Sequence, residues 1–252
     1  MSHYIRNASF TMVVLSVFVC GLTFAAAPDG EGWTSLFNNK DFSGWKLTEK
    51  QKPIWTVQDG VLDCSPRSDI RGDQSLWTEE EFGDFELVME WRIKETKGLA
   101  AIPVIFPDGT HAKDASGKDI QINRPNADSG VYVRGSSKSQ INIWCWPIGS
   151  GEVYGYRNDG KMPAAVRAGV TPRANADKPV GEWNSFSITM NGDKLTVVLN
   201  GVTVLDAAEL PGVPERGPIA LQHHGGYDPK SDTWNGASSL VQFKNIYIRE
   251  LN

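Results

Sequence analysis

Two short stretches of this 252-residue chain hold side chains suited to chemistry: "SQINIWCW" (residues 139–146) and "IALQHHGG" (residues 219–226). In the first, period-two alternation sets Gln140, Asn142 and Trp144 opposite Ile141, Ile143 and Cys145. Two amides beside an indole compose a floor for a small polar ligand. The same pattern also fits a second apolar face covered by other chain, since aromatics bury well. In the second stretch, Ile219 and Leu221 point inward, so Gln222 and His224 share the other face and His223 lies on the core side. An imidazole titrates near neutrality and is matched to general-base work; the plainer role for His224 is a turn histidine before Gly225 and Gly226. Arg134, in "SGVYVRG", is expected beside Tyr132 and away from the core, where a guanidinium can stabilise an oxyanion or pair with a carboxylate. Tyr156 and Arg157 follow the tryptophan strand in a glycine loop that could close over it.

Metal chemistry has thin support. No His-x-x-x-His or paired-cysteine spacing exists, and adjacent His223 and His224 on a strand point oppositely. No cofactor is expected, although a structural calcium would suit the oxygen-rich loops "DASGKD" (114–119) or "DPKSD" (228–232). A net charge of −5 argues against nucleic acid as a partner.

The elements that must position these groups are strands. Apolar residues recur with period two throughout, most clearly in "DFELVMEWRI", where Phe85, Leu87, Met89, Trp91 and Ile93 share one face. Asn191-Gly192 and Asn200-Gly201 mark tight hairpins between runs carrying Phe186, Ile188 and Met190, then Leu195, Val197 and Leu199, then Val202 and Val204. Phe243, Ile246 and Ile248 are expected core in the last strand. Such an all-β chain folds as two stacked antiparallel sheets. Two stretches lack strand character, residues 107–128 and 157–181, and read as lids beside the tryptophan strand. Arg71-Gly72-Asp73 reads as a turn. Arg6 followed by "FTMVVLSVFVCGLTFAAA" reads as an export signal cleaved near Ala25 to Ala27, so residues 28–252 form one domain, periplasmic or extracellular, with no membrane contact beyond the signal. Removing it takes Cys20 and leaves Cys64 and Cys145, either one disulfide or two separate buried thiols.

The ordered series "GWTSLFNNKDFSGWKL", "SLWTEEEFGDFELVMEWRI", "ADSGVYVRG", "KPVGEWNSFSITMNGDKLTVVLNGVTV", "GPIALQHHG" and "VQFKNIYIREL" resembles the 3-keto-disaccharide hydrolase family across residues 32–251. The resemblance implies a concanavalin A-like, laminin-G-like jelly-roll sandwich and cleavage of glycosides whose sugar is oxidised at C3. A C3 ketone acidifies the C2 proton, so the C1 substituent leaves by elimination and water adds afterwards. An ordinary glycosidase needs two carboxylates across the bond instead. On this resemblance His224 becomes the base and Arg134 the oxyanion donor. Gln140, Asn142 and Gln222 would bond sugar hydroxyls, Trp144 would stack on a pyranose, and Tyr156 and Arg157 would close the site. The alternative on the same fold is a non-catalytic glycan-binding or envelope adhesion module.

Overall fold

The structure, a computed structural model, describes residues 28–251; the expected export segment, with Arg6 and Cys20, lies outside the described residues. In chain order the strands are β1 (Thr34–Ser35), β2 (Trp45–Lys46), β3 (Trp55–Gln58), β4 (Val61–Cys64), β5 (Leu76–Phe82), β6 (Phe85–Ile93), β7 (Ala100–Pro103), β8 (Gln121–Arg124), β9 (Asp128–Val133), β10 (Ser136–Trp144), β11 (Asn184–Asn191), β12 (Lys194–Leu199), β13 (Val202–Glu209), β14 (Gly217–Leu221), β15 (Tyr227–Asp228), β16 (Thr233–Trp234) and β17 (Val241–Glu250). Two short helices, α1 (Tyr154–Arg157) and α2 (Ala164–Gly169), separate β10 from β11.

An eight-stranded sheet runs β13-β12-β11-β6-β17-β4-β3 with β1 also on β17, and a five-stranded sheet runs β10-β9-β14-β5-β2. The two form an antiparallel, concanavalin-like sandwich. Alternation is the cause: every second residue of β6 is buried, from Phe85 to Ile93. These meet Leu76, Val131, Val133, Ile141, Ile143, Ile219 and Leu221 of the second sheet in one apolar cluster. Each such side chain contributes about 1.5–3 kcal/mol on burial.

Irregularities explain where simple alternation breaks. Phe243 and Ile246 differ in parity yet both are buried, because a bulge between Lys244 and Tyr247, with Asn245 at φ 52°, resets the face of β17. Val202, expected in the core, is instead 43% exposed, and register shifts in the β12–β13 pair turn Val204 and Leu205 inward. The Asn200-Gly201 hairpin has φ 52° and 82°, the two positive values its tight turn needs. Cys64 and Cys145 are both free thiols, Cys64 buried and Cys145 partly so.

Arg134 does not face a ligand. At φ 52° it leaves β9 in a left-handed turn that sends its side chain, 2% exposed, into the end of the sandwich. There it donates to the carbonyls of Gly83 (2.8 Å), Gly192 (2.6 Å) and Pro214 (3.2 Å) and pairs with Asp84 at 2.5 Å. It thereby ties the β5–β6, β11–β12 and β13–β14 connections together. Arg134→Ala is expected to lower stability by about 2–4 kcal/mol, since several buried polar groups lose their partner at once; chemical denaturation measures it.

Candidate active site

The outward face of the five-stranded sheet forms three rows. Gln140, Tyr132, Ala220 and Trp77 lie side by side across β10, β9, β14 and β5. Asn142 opposes Gly130, whose carbonyl accepts from the Gln222 backbone N–H at 2.9 Å. Trp144 opposes Asp128 in the third row, and His224 follows just beyond β14.

Gln140 and Gln222 meet across β9. Gln140 Nε2 donates to Gln222 Oε1 at 2.6 Å, and Gln222 Nε2 returns a bond to Gln140 Oε1 at 3.2 Å. The pair exists because residue 130 is glycine: a Cβ there would stand 2.7 Å from Gln140 Nε2 and from the Ile141 carbonyl oxygen. Tyr132 adjoins Gln222 and Ser75, and burial pushes its hydroxyl up to about 12, so it keeps its proton as a donor. Its ring lies 5.5 Å from that of Trp77, whose indole nitrogen donates to Asp73 at 2.8 Å.

His224 is held in one tautomer. Its Nδ1 lies 2.6 Å from the Ala237 carbonyl oxygen, which only accepts, so Nδ1 carries the proton and the neutral ring keeps its lone pair on Nε2. Its backbone N–H donates to Ser239 Oγ (2.7 Å), which donates to the Asp128 carbonyl (2.6 Å), fixing the two residues together. Burial pushes the Asp128 carboxyl up to about 6, against the opposing pull of His224. His223 is different in kind. Its Nε2 accepts the Arg67 N–H at 3.1 Å, and burial, then the His224 charge, push its pKa down to about 4, so it stays neutral.

The structure therefore gathers Gln140, Gln222 and His224 and adds Asp73, Trp77, Asp128 and Tyr132. Arg134 lies six residues along β9 from Asp128, roughly 20 Å away in an extended strand, and takes no part. Trp144 and Asn142, expected as floor, are covered, 3% and 2% exposed. Trp144 stacks on Trp146 with ring centroids 4.0 Å apart and donates to the Gly149 carbonyl at 2.6 Å. The chain after β10 turns back so that Asn142 exchanges backbone bonds with Glu152 and Gly151, adding cover to the sheet edge. Tyr156 and Arg157, expected in a closing loop, belong to helix α1 and are 2% and 3% exposed. Arg157 pairs with buried Glu152 and donates to His111 Nε2 at 2.9 Å, which ties the 107–128 stretch to α1.

The two oxygen-rich loops that would suit a calcium make bonds within the protein. Asp114 accepts from Ser116 and Lys118, Asp119 is held by Lys113 and His111, and Asp228 and Asp232 bond Lys230 and Tyr227. Among the described residues no three His, Cys, Asp or Glu side chains converge on a metal position.

Gly130→Ala is expected to separate Gln140 from Gln222 and cost about 1–3 kcal/mol by overpacking, read as a lower denaturation midpoint.

Comparison with solved structures finds the same fold. Three crystal structures of candidate glycosyl hydrolases from Parabacteroides distasonis superpose with TM-scores of 0.55, 0.53 and 0.52 at 21%, 18% and 21% identity. They cover 88%, 88% and 87% of this chain, which spans 84%, 95% and 99% of theirs. No curated protein matches the sequence. The family model of the 3-keto-alpha-glucoside-1,2-lyase-like domain matches residues 32–249, nearly the whole described chain, and the protein belongs to that family.

Proposed function

We propose that this protein is an exported carbohydrate-active enzyme that cleaves 3-keto-glycosides by elimination, with His224 as the base. The observation that carries this reading is the His224 ring, whose Nδ1 is committed to Ala237 so that Nε2 keeps the lone pair, with the buried Asp128 carboxyl within reach of its charge. Nε2 removes the C2 proton that the C3 ketone acidifies. The electron pair passes through the enolate to expel the C1 oxygen substituent, which leaves as an alcohol on gaining a proton, and water then adds across the new C1–C2 double bond. Ionised Asp128 stabilises the imidazolium that forms. Tyr132 and the Gln140–Gln222 amides supply hydrogen bonds to hydroxyls and to the ketone oxygen. The half-buried Trp77 ring beside Tyr132 gives an apolar contact for a sugar.

With a 3-keto-disaccharide as substrate, His224→Ala is expected to lower kcat by about 10²–10⁴ while leaving the denaturation midpoint close to that of the parent. Asp128→Asn is expected to cause a smaller loss. kcat/KM should fall as pH drops through about 6, where Asp128 takes up its proton and stops supporting the imidazolium. Binding of the substrate by the parent protein without turnover would replace the enzyme by a glycan-binding module. The route itself is read in D2O: elimination and hydration place deuterium at C2 of the released keto sugar, and a product without it would mean direct hydrolysis.

A further inference from the structure

A cavity of about 330 Å³ opens where β6 and β10 end, spanning both sheets. Its walls include Trp91, Trp144, Cys145, Trp146, Asn175 and Asp177, and neither His224 nor Asp128 is among its lining residues. That volume lies within the roughly 300–1,000 Å³ of small-molecule clefts.

Three of the wall residues hold polar atoms that no group in the protein satisfies. Trp91 Nε1 and Trp146 Nε1 lack an acceptor, and Asp177 Oδ1 lacks a donor, although all three atoms are buried. Trp91 is 1% exposed. Other indoles are provided for: Trp45, Trp55, Trp77 and Trp144 each donate to an oxygen at 2.6–2.8 Å. Among the described residues only Trp33 shares the condition of Trp91 and Trp146. Buried polar groups are almost always paired, so two unpaired donors and one unpaired acceptor on residues that line a single cavity point to a ligand that both accepts and donates. Hydroxyls do both. Asp177 is preset for this, because its Oδ2 takes the Ser150 N–H at 2.8 Å and leaves Oδ1 directed elsewhere. The one nearby lysine of the wall, Lys178, is engaged with the Trp183 carbonyl at 2.9 Å.

We infer that this cavity binds one neutral pyranose ring, with its hydroxyls on Asp177 Oδ1 and the indole N–H groups of Trp91 and Trp146 and its apolar face against tryptophan. The wall also carries Arg124 and Lys178, so the choice of a neutral ring rests on the unpaired indole donors and the unpaired Asp177 oxygen, not on net charge. The site is separate from His224 and does not depend on catalysis there.

Cys145 is a local reporter, since it lines the cavity and is partly exposed whereas Cys64 is fully buried. Iodoacetamide labelling of Cys145 in the full chain, located by peptide mass spectrometry, is followed with methyl α-D-glucopyranoside as probe. Saturable protection is expected, with labelling about fivefold slower when the sugar stands at four times its Kd. His224→Ala should keep this protection, which separates the cavity from the catalytic reading. Asp177→Asn preserves an oxygen for Ser150 but replaces the unpaired acceptor by a donor, and should abolish protection while labelling without sugar is unchanged. Trp146→Phe, which keeps the ring and removes the N–H, should weaken it. Absence of protection at any soluble concentration, protection undiminished in Asp177→Asn and Trp146→Phe, or stronger protection by methyl glucuronide would overturn the inference.

Discussion

The register of β9 between β10 and β14 is the constraint on which the site depends. Its inward residues, Val131 and Val133, are locked into the core, so its outward residues cannot slip by one without exposing them. Asp128, Gly130 and Tyr132 are thereby fixed in a line, and each meets its neighbours on both sides: Tyr132 between Gln140 and Ala220, Gly130 beneath the Gln140 amide, Asp128 next to the loop that carries His224. The same apolar burial that stabilises the sandwich therefore sets the spacing of its polar face.

What remains open on that face is decided by the chain that returns over it. The segment after β10 folds back along the sheet edge, seals Asn142 and Trp144, and buries the Glu152–Arg157 pair behind them. A buried ion pair of this kind adds little net stability but is costly to break, so it specifies one position for α1. In the strip from Trp77 to His224 the two ends are partly exposed, while Tyr132 and Gln222 between them are 8% and 7% exposed. There is a division of labour across the sheet: one edge is closed by aromatic stacking, and the middle stays polar.

Period two made much of the sandwich legible. It identified β6, β11 and β12 and both inward faces, and it set Gln222 and His224 on the side away from Ile219 and Leu221. It failed where the backbone leaves the regular strand. Arg134 reads as outward by parity, but its positive φ begins a turn and the side chain enters the end of the sandwich. Tyr156 and Arg157 read as loop because glycines surround them, yet Val153 and Val170 anchor a helical turn there. Trp144 shows the limit of local pattern, since exposure depends on chain 10 residues later in sequence and beyond. Asp128 carried a signal that passed unused: it has the parity of Gly130 and Tyr132 and opens the strand, but it sits in a polar run that reads as loop.

Two groups that feel the His224 charge have opposite proton habits. Asp128 goes from 3.8 to about 6 on folding, and His223 goes from 6.5 to about 4. Between about pH 4 and 6 the folded chain thus keeps a proton on Asp128 that the unfolded chain has released, and refuses one on His223 that the unfolded chain holds. The first makes folding more favourable on acidification and the second less so, over nearly the same window. Their proton inventories cancel, and the slope of stability against pH from this pair is close to zero there. A surface with a titrating centre can in this way meet mild acid without its scaffold registering the change.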